Sequence, residues 1–161
     1  NPTVARGWQH AMALPREITI EDQELKQRPL PEYQVLRQNQ QEFRLADLTE
    51  STLKGEIYEL LIDFDETPSH FELMLREDTR LIFQDGLLTL RHGESGYGRR
   101  KRMIPLTDLS QLQIFSDTSS LEIFINDGDH VMTSRVYPEA GQDKIQIKGD
   151  GVGQLIYWEI G

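Results

Sequence analysis

The chain contains no cysteine among its 161 residues. A disulfide, a thiolate nucleophile and a cysteine-ligated zinc site are therefore excluded. Long apolar runs are also missing, because no unbroken stretch exceeds four residues, as at 155–158, whereas a membrane-spanning helix needs about 20. These absences predict a soluble protein, and the cytoplasm is the compartment that fits, with a secreted parent protein as the alternative.

Basic residues are scarce. Lys and Arg number 17 against 27 Asp and Glu, so the net charge is −10. A chain this acidic repels nucleic acid phosphates and anionic lipids, and we expect neither nucleic acid nor a membrane as a partner. The one basic run, residues 99–102, is interpreted as a solvated loop or strand edge.

Apolar residues alternate with polar ones along much of the chain, which predicts half-buried β-strands. Ile18 and Ile20 flank Thr19, and similar alternation covers residues 71–76, 121–125 and 145–147. Turn-forming residues separate these segments, so ten or more short antiparallel strands are expected rather than a βαβ fold.

Two hairpins, one last strand and one helix can be placed. Asp85-Gly86 predicts a type I′ turn between strands 79–84 and 87–92, and a second hairpin pairs residues 121–125 with 130–137. The last strand is expected at 154–160. A short helix can begin at Pro31, whereas residues 93–98, with three glycines, are expected to form a mobile loop.

Motifs for chemistry are missing or incomplete. The segment 93–97 lacks the second glycine of a nucleophile elbow, and the four histidines are too far apart in sequence for a metal-ligand pair. Asp63, Asp65 and Glu66 are interpreted as a solvated strand end rather than a calcium site. We therefore expect no catalytic residue, no metal and no cofactor. Aromatic residues that could stack on a sugar ring are Trp8, Tyr33, Tyr97, Tyr137, Tyr157 and Trp158.

Two segments carry a family resemblance. Residues 7–17 read GWQHAMALPRE and residues 117–128 read DTSSLEIFINDG. Together they resemble the carboxy-terminal domain of the glycoside hydrolase family thirty-two β-fructofuranosidases, which include invertase and bacterial sucrose-6-phosphate hydrolase. The first segment has Ala13 where the family usually has Thr.

The resemblance implies a fold class: all-β, a two-sheet antiparallel β-sandwich with one short helix. It also implies that residues 1–15 join an upstream catalytic propeller to a sandwich spanning residues 16–161. The family's catalytic motifs do not occur in this chain, and the start at Asn1 reads as a piece of something longer. No catalytic residue can be transferred.

The expected function is therefore a non-catalytic structural domain of a β-fructofuranosidase that cleaves sucrose or sucrose 6-phosphate with retention. It would stabilise the propeller, its main partner, and a homodimer is kept open. The alternatives are a fructan-binding module and a free-standing assembly domain. Residues expected to pack between domains are Trp8, Met12, Leu14 and Arg16; family-motif residues with structural roles are Asp117, Ser119, Glu122, Phe124, Asn126 and Gly128.

Overall fold

The computed structural model describes residues 2–48 and 53–161. Those residues form fourteen strands, one short α-helix and three 3-10 helices. The strands are β1 (Arg16–Glu21), β2 (Glu24–Pro29), β3 (Arg37–Arg44), β4 (Leu53–Lys54), β5 (Tyr58–Phe64), β6 (His70–Leu75), β7 (Thr79–Gln84), β8 (Leu87–His92), β9 (Lys101–Pro105), β10 (Gln111–Asp117), β11 (Ser120–Ile125), β12 (His130–Arg135), β13 (Lys144–Gly149) and β14 (Gly153–Ile160). The helix α1 spans Leu45–Leu48, and the 3-10 helices span Pro2–Arg6, Pro31–Leu36 and Glu94–Gly96.

Two antiparallel six-stranded sheets make up the body of the molecule. Sheet I has the order β12-β11-β10-β5-β14-β3, and sheet II has the order β4-β13-β6-β7-β8-β9. The predicted fold class, an all-β two-sheet sandwich, is confirmed. Within the part of the chain described, no helix is long and apolar enough to cross a membrane.

The core lies between the sheets and follows the strand period of two. On β5, Tyr58, Leu60 and Ile62 have no exposed surface, and on β6 Phe71 and Leu73 face them from the other sheet with none either. The residues between them on β5 point to the outer face of sheet I. That outer face is also largely buried, because Phe115, Phe124 and Trp158 lie on it with at most 8% of their surface exposed.

The two predicted hairpins are confirmed. β7 and β8 pair from Thr79 with His92 to Gln84 with Leu87, and both Asp85 (φ 52°) and Gly86 (φ 69°) have positive φ, as a type I′ turn requires. β11 and β12 form the second hairpin, with its second strand ending two residues earlier than predicted. The last strand, β14, begins one residue earlier.

The segment 93–98, which its glycines predict to be a mobile loop, contains a 3-10 helix instead of an irregular loop throughout. Ser95 and Gly96 are buried in a 3-10 helix, the Ser95 amide donates to Asp78 Oδ2 at 2.7 Å, and the Tyr137 amide donates to the Ser95 carbonyl at 2.8 Å. These bonds fix the backbone. The expected helix at Pro31 is present as a 3-10 helix with proline at its start, and the short α-helix is α1.

Residues 2–36, called here the N-terminal layer, belong to neither large sheet. They run over the outer face of sheet I, where Tyr33 lies 5.9 Å from Phe115, ring centroid to centroid, and Arg16 lies 5.4 Å from the Phe124 ring. Within the layer, β1 and β2 pair only with each other and form a two-stranded ribbon, called here the arm. The layer explains why Phe115 and Phe124 on the outside of sheet I are buried.

Candidate interdomain surface

Glu122 connects the two segments that carry the family resemblance. Its side chain is only 4% exposed on β11, and Arg16 Nη2 donates to its Oε2 at 2.6 Å. The Leu14 amide donates to the other carboxylate oxygen at 3.4 Å. A buried carboxylate is costly unless it is paired. Because Leu14 and Arg16 both donate to Glu122, this carboxylate anchors the chain at the start of β1.

Ser119 and Arg135 hold the beginning of the N-terminal layer. Arg135 Nη2 donates to Ser119 Oγ at 2.9 Å, and the same guanidinium lies 5.0 Å from the centroid of the Trp8 ring. A cation over an indole face is electrostatically favourable. Trp8 nevertheless remains 42% exposed.

Asn126 and Gly128 shape the turn between β11 and β12. Asn126 has a positive φ of 50°, its Oδ1 accepts from the Ser110 amide at 2.9 Å, and its Nδ2 donates to the Asp108 carbonyl at 3.0 Å. Gly128, with φ 90°, accepts at its carbonyl from the Gln27 amide at 2.9 Å. The turn is therefore the point at which the backbone of β2 attaches to the sandwich.

Asp117 and Phe124 complete the second segment. Asp117 Oδ1 accepts from the Thr118 amide at 2.6 Å at the bend that starts the β10–β11 hairpin. Phe124 packs edge-on against Phe115 with ring centroids 6.1 Å apart and lies beneath Arg16. Residues 117–128 thus contact the N-terminal layer directly at Leu14, Arg16 and Gln27, and Ser119 reaches Trp8 through Arg135, so that the two segments form one structural unit.

Ion pairs fix the arm to the β11–β12 turn. Arg28 donates through Nη1 to Glu21 at 2.6 Å and through Nη2 to Asp127 at 2.7 Å, and Lys26 pairs with Asp129. Arg28 lowers the pKa of the Glu21 carboxyl to about 2. Glu21 therefore remains ionised, and the pair persists, well into the acid range.

The N-terminal layer carries most of the exposed large apolar side chains. Twelve large apolar side chains are exposed in residues 2–48 and 53–161, and eight of them lie in this layer: Val4, Trp8, Met12, Ile18, Ile20, Leu25, Val35 and Leu36. Met12 is 94% exposed. A cavity of about 230 Å³ lies beside it, lined by apolar residues that include Leu14, Tyr33 and Ile160. Large exposed apolar patches are typical of interaction surfaces, so this layer is the candidate interdomain surface.

Of the residues predicted to pack between domains, Trp8 and Met12 are exposed, Leu14 is half-buried, and Arg16 is turned inward to Glu122. Sequence reasoning missed the arm. Alternation at Ile18, Thr19 and Ile20 predicts a strand with its isoleucines buried, yet those isoleucines are 62% and 77% exposed. The signal in the sequence that could have indicated the arm is the alternation that places Ile18 and Ile20 on one face, and that face has no partner within the described residues.

Four of the six aromatic candidates, Tyr97, Tyr137, Tyr157 and Trp158, do not form a sugar-stacking platform. Tyr157 is in the core, and Trp158 is covered by Arg37, whose guanidinium lies 4.1 Å from the ring centroid. The exposed Tyr97 meets Tyr137 edge-on, at 77° between ring planes. A carbohydrate-binding face needs open rings that lie in one plane, and neither pair provides them.

Asp63, Asp65 and Glu66 are exposed at the end of β5, and Gln111 Nε2 donates to Asp63 at 2.8 Å. Across residues 2–48 and 53–161, no three His, Asp or Glu side chains are arranged to hold a metal ion. The basic run 99–102 is exposed before and along the start of β9. Arg102 Nη1 donates to the Thr133 carbonyl at 2.6 Å, on the edge of the other sheet.

His92 bridges the two sheets from a buried position. Its Nδ1 lies 3.1 Å from Thr79 Oγ1 on sheet II, and its Nε2 lies 3.0 Å from Ser134 Oγ on sheet I. Ser134 is only 2% exposed, so this serine–histidine pair is not accessible to a substrate. Burial lowers the pKa of His92, as do Arg102 and Arg99, while Asp78 opposes them.

We expect the stability of this chain to fall as the pH drops below about 6.5. Below that pH the unfolded chain binds a proton at His92 more readily than the folded chain does, because burial lowers the pKa of His92 in the folded state. A histidine whose folded pKa is depressed contributes fully above its unfolded pKa, and the contribution declines until the pH reaches the folded pKa. Urea unfolding of the His92→Gln variant should show a weaker pH dependence between pH 7 and 5 than the parent. The exposed His130→Gln variant is the control, and equal slopes for parent and His92→Gln would contradict the assignment.

Comparisons with known proteins agree with this geometry. The family model described as glycosyl hydrolases family 32 C terminal matches residues 32–158. The sucrose-6-phosphate hydrolase of Bacillus subtilis (strain 168) is 32% identical over 96% of this chain and 34% of its own length, and that of Staphylococcus xylosus is 38% identical over 86% and 31%. The structure of sucrose-6-phosphate hydrolase from Lactobacillus gasseri superposes with a TM-score of 0.87 at 27% identity, covering all of this chain and 36% of the other. This chain therefore spans about a third of the length of these relatives.

Proposed function

Because the chain belongs to the C-terminal domain family of the family 32 glycosyl hydrolases, we propose that it is the non-catalytic sandwich of a β-fructofuranosidase and stabilises that enzyme's catalytic domain. The observation that carries the proposal is the N-terminal layer, which is anchored to sheet I on its inner side and exposes eight large apolar side chains. The relatives are about three times as long as this chain, so a further domain is available to cover that surface.

The substrate of the whole enzyme is sucrose or sucrose 6-phosphate, the sugar for which most of the similar curated proteins are named. An enzyme that acts on sucrose 6-phosphate belongs in the cytoplasm, because a sugar phosphate is charged and does not cross a membrane unaided; a secreted enzyme would act on sucrose. Residues Trp8, Met12 and Leu14 are the proposed packing positions in the joining segment 1–15, and Arg16 is the residue that orients this segment through Glu122.

Self-association is a secondary role at most. Sheet I has β12 and β3 as edge strands and sheet II has β4 and β9, and Arg102 on β9 already donates to the Thr133 carbonyl on β12. Charged side chains on an edge strand oppose pairing with another copy. We therefore expect the isolated chain to sediment as a monomer at micromolar concentration.

The proposal is tested by separating the chain from the enzyme that carries it. The 161-residue chain alone should hydrolyse neither sucrose nor sucrose 6-phosphate, whereas the full-length enzyme should hydrolyse at least one of them. Removing the chain from the full-length enzyme should shorten the half-life of activity at elevated temperature. Hydrolysis by the chain alone, abolished by substituting one of its own carboxylates, would overturn the proposal, as would an unchanged half-life of the truncated enzyme.

A fructan-binding role makes a different prediction. If the sandwich recruited substrate, titration of inulin or levan oligosaccharides into the chain would release or absorb heat. We expect no heat, since Trp158 and Tyr157 are both buried.

A further inference from the structure

We propose that the apolar face of the arm, formed by Ile18, Ile20 and Leu25, is a docking surface for the catalytic domain. This inference rests on the proposed function and adds to it a surface outside the predicted joining segment. The three side chains are 62%, 77% and 53% exposed. Ile20 is paired with Leu25 across the two strands, so both side chains point to the same face as Ile18.

The opposite face of the arm is polar and already satisfied. Thr19 and Glu21 lie on it with Arg28, which donates to the Thr19 hydroxyl at 3.3 Å and to both carboxylate oxygens of Glu21. Arg28 also donates to Asp127 of the sandwich through two bonds, at 2.8 and 2.7 Å. That face of the ribbon is thus occupied by ionic contacts. On the other face, Arg16 at the base of the arm pairs with Glu122 of the sandwich, whereas Ile18, Ile20 and Leu25 make no comparable contact and stay exposed.

An isolated two-stranded hairpin is at best marginally stable in water. Here the arm is held along β2, by the bond from the Gln27 amide to the Gly128 carbonyl and by the pairs that Lys26 and Arg28 make with Asp129 and Asp127. These contacts orient the ribbon without using its isoleucines. The apolar face is therefore presented in a fixed direction, as a docking surface requires.

The occupant that fits is the catalytic domain. The arm directly follows the joining segment, where Trp8 and Met12 are also exposed, so one continuous stretch of chain carries the apolar surface. About two thirds of each relative lies outside the length that this chain matches, which supplies a large partner on the same polypeptide. A second copy is disfavoured, because each copy carries a net charge of −10 and its arm has Glu21, Asp22 and Glu24 at the tip.

The test substitutes Ile18→Thr and Ile20→Thr together, which removes apolar surface and keeps β-branched residues that favour a strand. In the isolated chain, the thermal midpoint should move by no more than about 2 °C, because both side chains are already exposed. In the full-length enzyme, the half-life of activity at elevated temperature should fall roughly tenfold or more, since both side chains lose a buried environment.

The matched control is Val152→Thr, which makes the same kind of change at an exposed apolar residue (52%) outside the N-terminal layer. It should leave both midpoint and half-life unchanged. Three results would overturn the inference: a double variant that inactivates no faster than this control, an equal loss of stability in the isolated chain, or an isolated parent chain that dimerises and is made monomeric by the double variant. If only this inference is wrong and the proposed function is right, removing the whole chain from the enzyme will still shorten the half-life of activity, whereas the double variant will not.

Discussion

Substituting Arg37→Met is expected to lower the free energy of unfolding by about 3–5 kcal/mol and the thermal midpoint by about 10 °C. Arg37 donates through Nε and Nη2 to the two carboxylate oxygens of Glu59, at 2.8 and 2.7 Å. Glu59 has no exposed surface, and its other partner is Gln113 Nε2, at 2.7 Å. Without the guanidinium, a charged carboxylate would stay buried on the outer face of sheet I. The same substitution uncovers Trp158, over which Arg37 lies.

A second variant separates the cost of an unpaired charge from that of lost packing. In Arg37→Met/Glu59→Leu both charges are gone and apolar side chains of similar size replace them, so most of the lost stability should return. Urea unfolding of the parent, Arg37→Met, Glu59→Leu and the double variant gives a complete cycle. A double variant no more stable than Arg37→Met would show that the buried charge is not the cause.

Substituting Gly128→Val is expected to destabilise the chain by about 3 kcal/mol or more. Two costs combine: the backbone has a φ of 90°, which a β-branched residue rarely adopts, and a Cβ would overlap the Gln27 carbonyl, whose carbon would be 2.8 Å away. Relieving the overlap requires β2 to move away from the turn. Limited proteolysis should therefore cut the arm faster in this variant, while urea unfolding measures the loss of stability.

Gly98→Val is the matched control for this prediction. Gly98 has a φ of 89°, almost the same as Gly128, but nothing lies within 4 Å of a Cβ built there. Its substitution should cost only the backbone strain, about 1–2 kcal/mol, and leave the arm protected. If both variants were destabilised equally, the close approach of Gln27 would have no energetic consequence.

Strand pairing was predictable where turn residues and alternation agree. Asp85-Gly86 lies between two alternating segments, and the observed bounds of β7 and β8 are those predicted. The β1–β2 turn gives no such signal, because Asp22 (φ 51°) and Gln23 (φ 70°) both have positive φ with no glycine present. Arg76 and Glu77 do the same between β6 and β7. Pairing of the flanking strands forces these conformations on residues whose own preferences disfavour them.

The motif residues could be identified from the sequence, but their contacts could not. Leu14, Arg16 and Glu122 belong to segments more than a hundred residues apart, and only the fold shows that Glu122 accepts from both Leu14 and Arg16. The exposure of Ile18 and Ile20 was also unpredictable, because alternation indicates that one face is covered and not what covers it. Glycine-rich composition was misleading at residues 93–98. There the hydrogen bonds of the Ser95 amide to Asp78 and of the Ser95 carbonyl to the Tyr137 amide restrain a backbone that its glycines leave intrinsically flexible.

The contacts that Trp8 and Leu14 make with Arg135 and Glu122 of the sandwich have a consequence for chimeric enzymes. A junction placed at residue 15 would take Arg16 from one parent enzyme and Trp8 and Leu14 from the other. The Trp8–Arg135 and Leu14–Glu122 contacts would then form between residues of two different parent enzymes. A junction before residue 7 keeps these pairs together. Recombinants with the earlier crossover should therefore fold and retain activity more often than those cut at the apparent end of the linker.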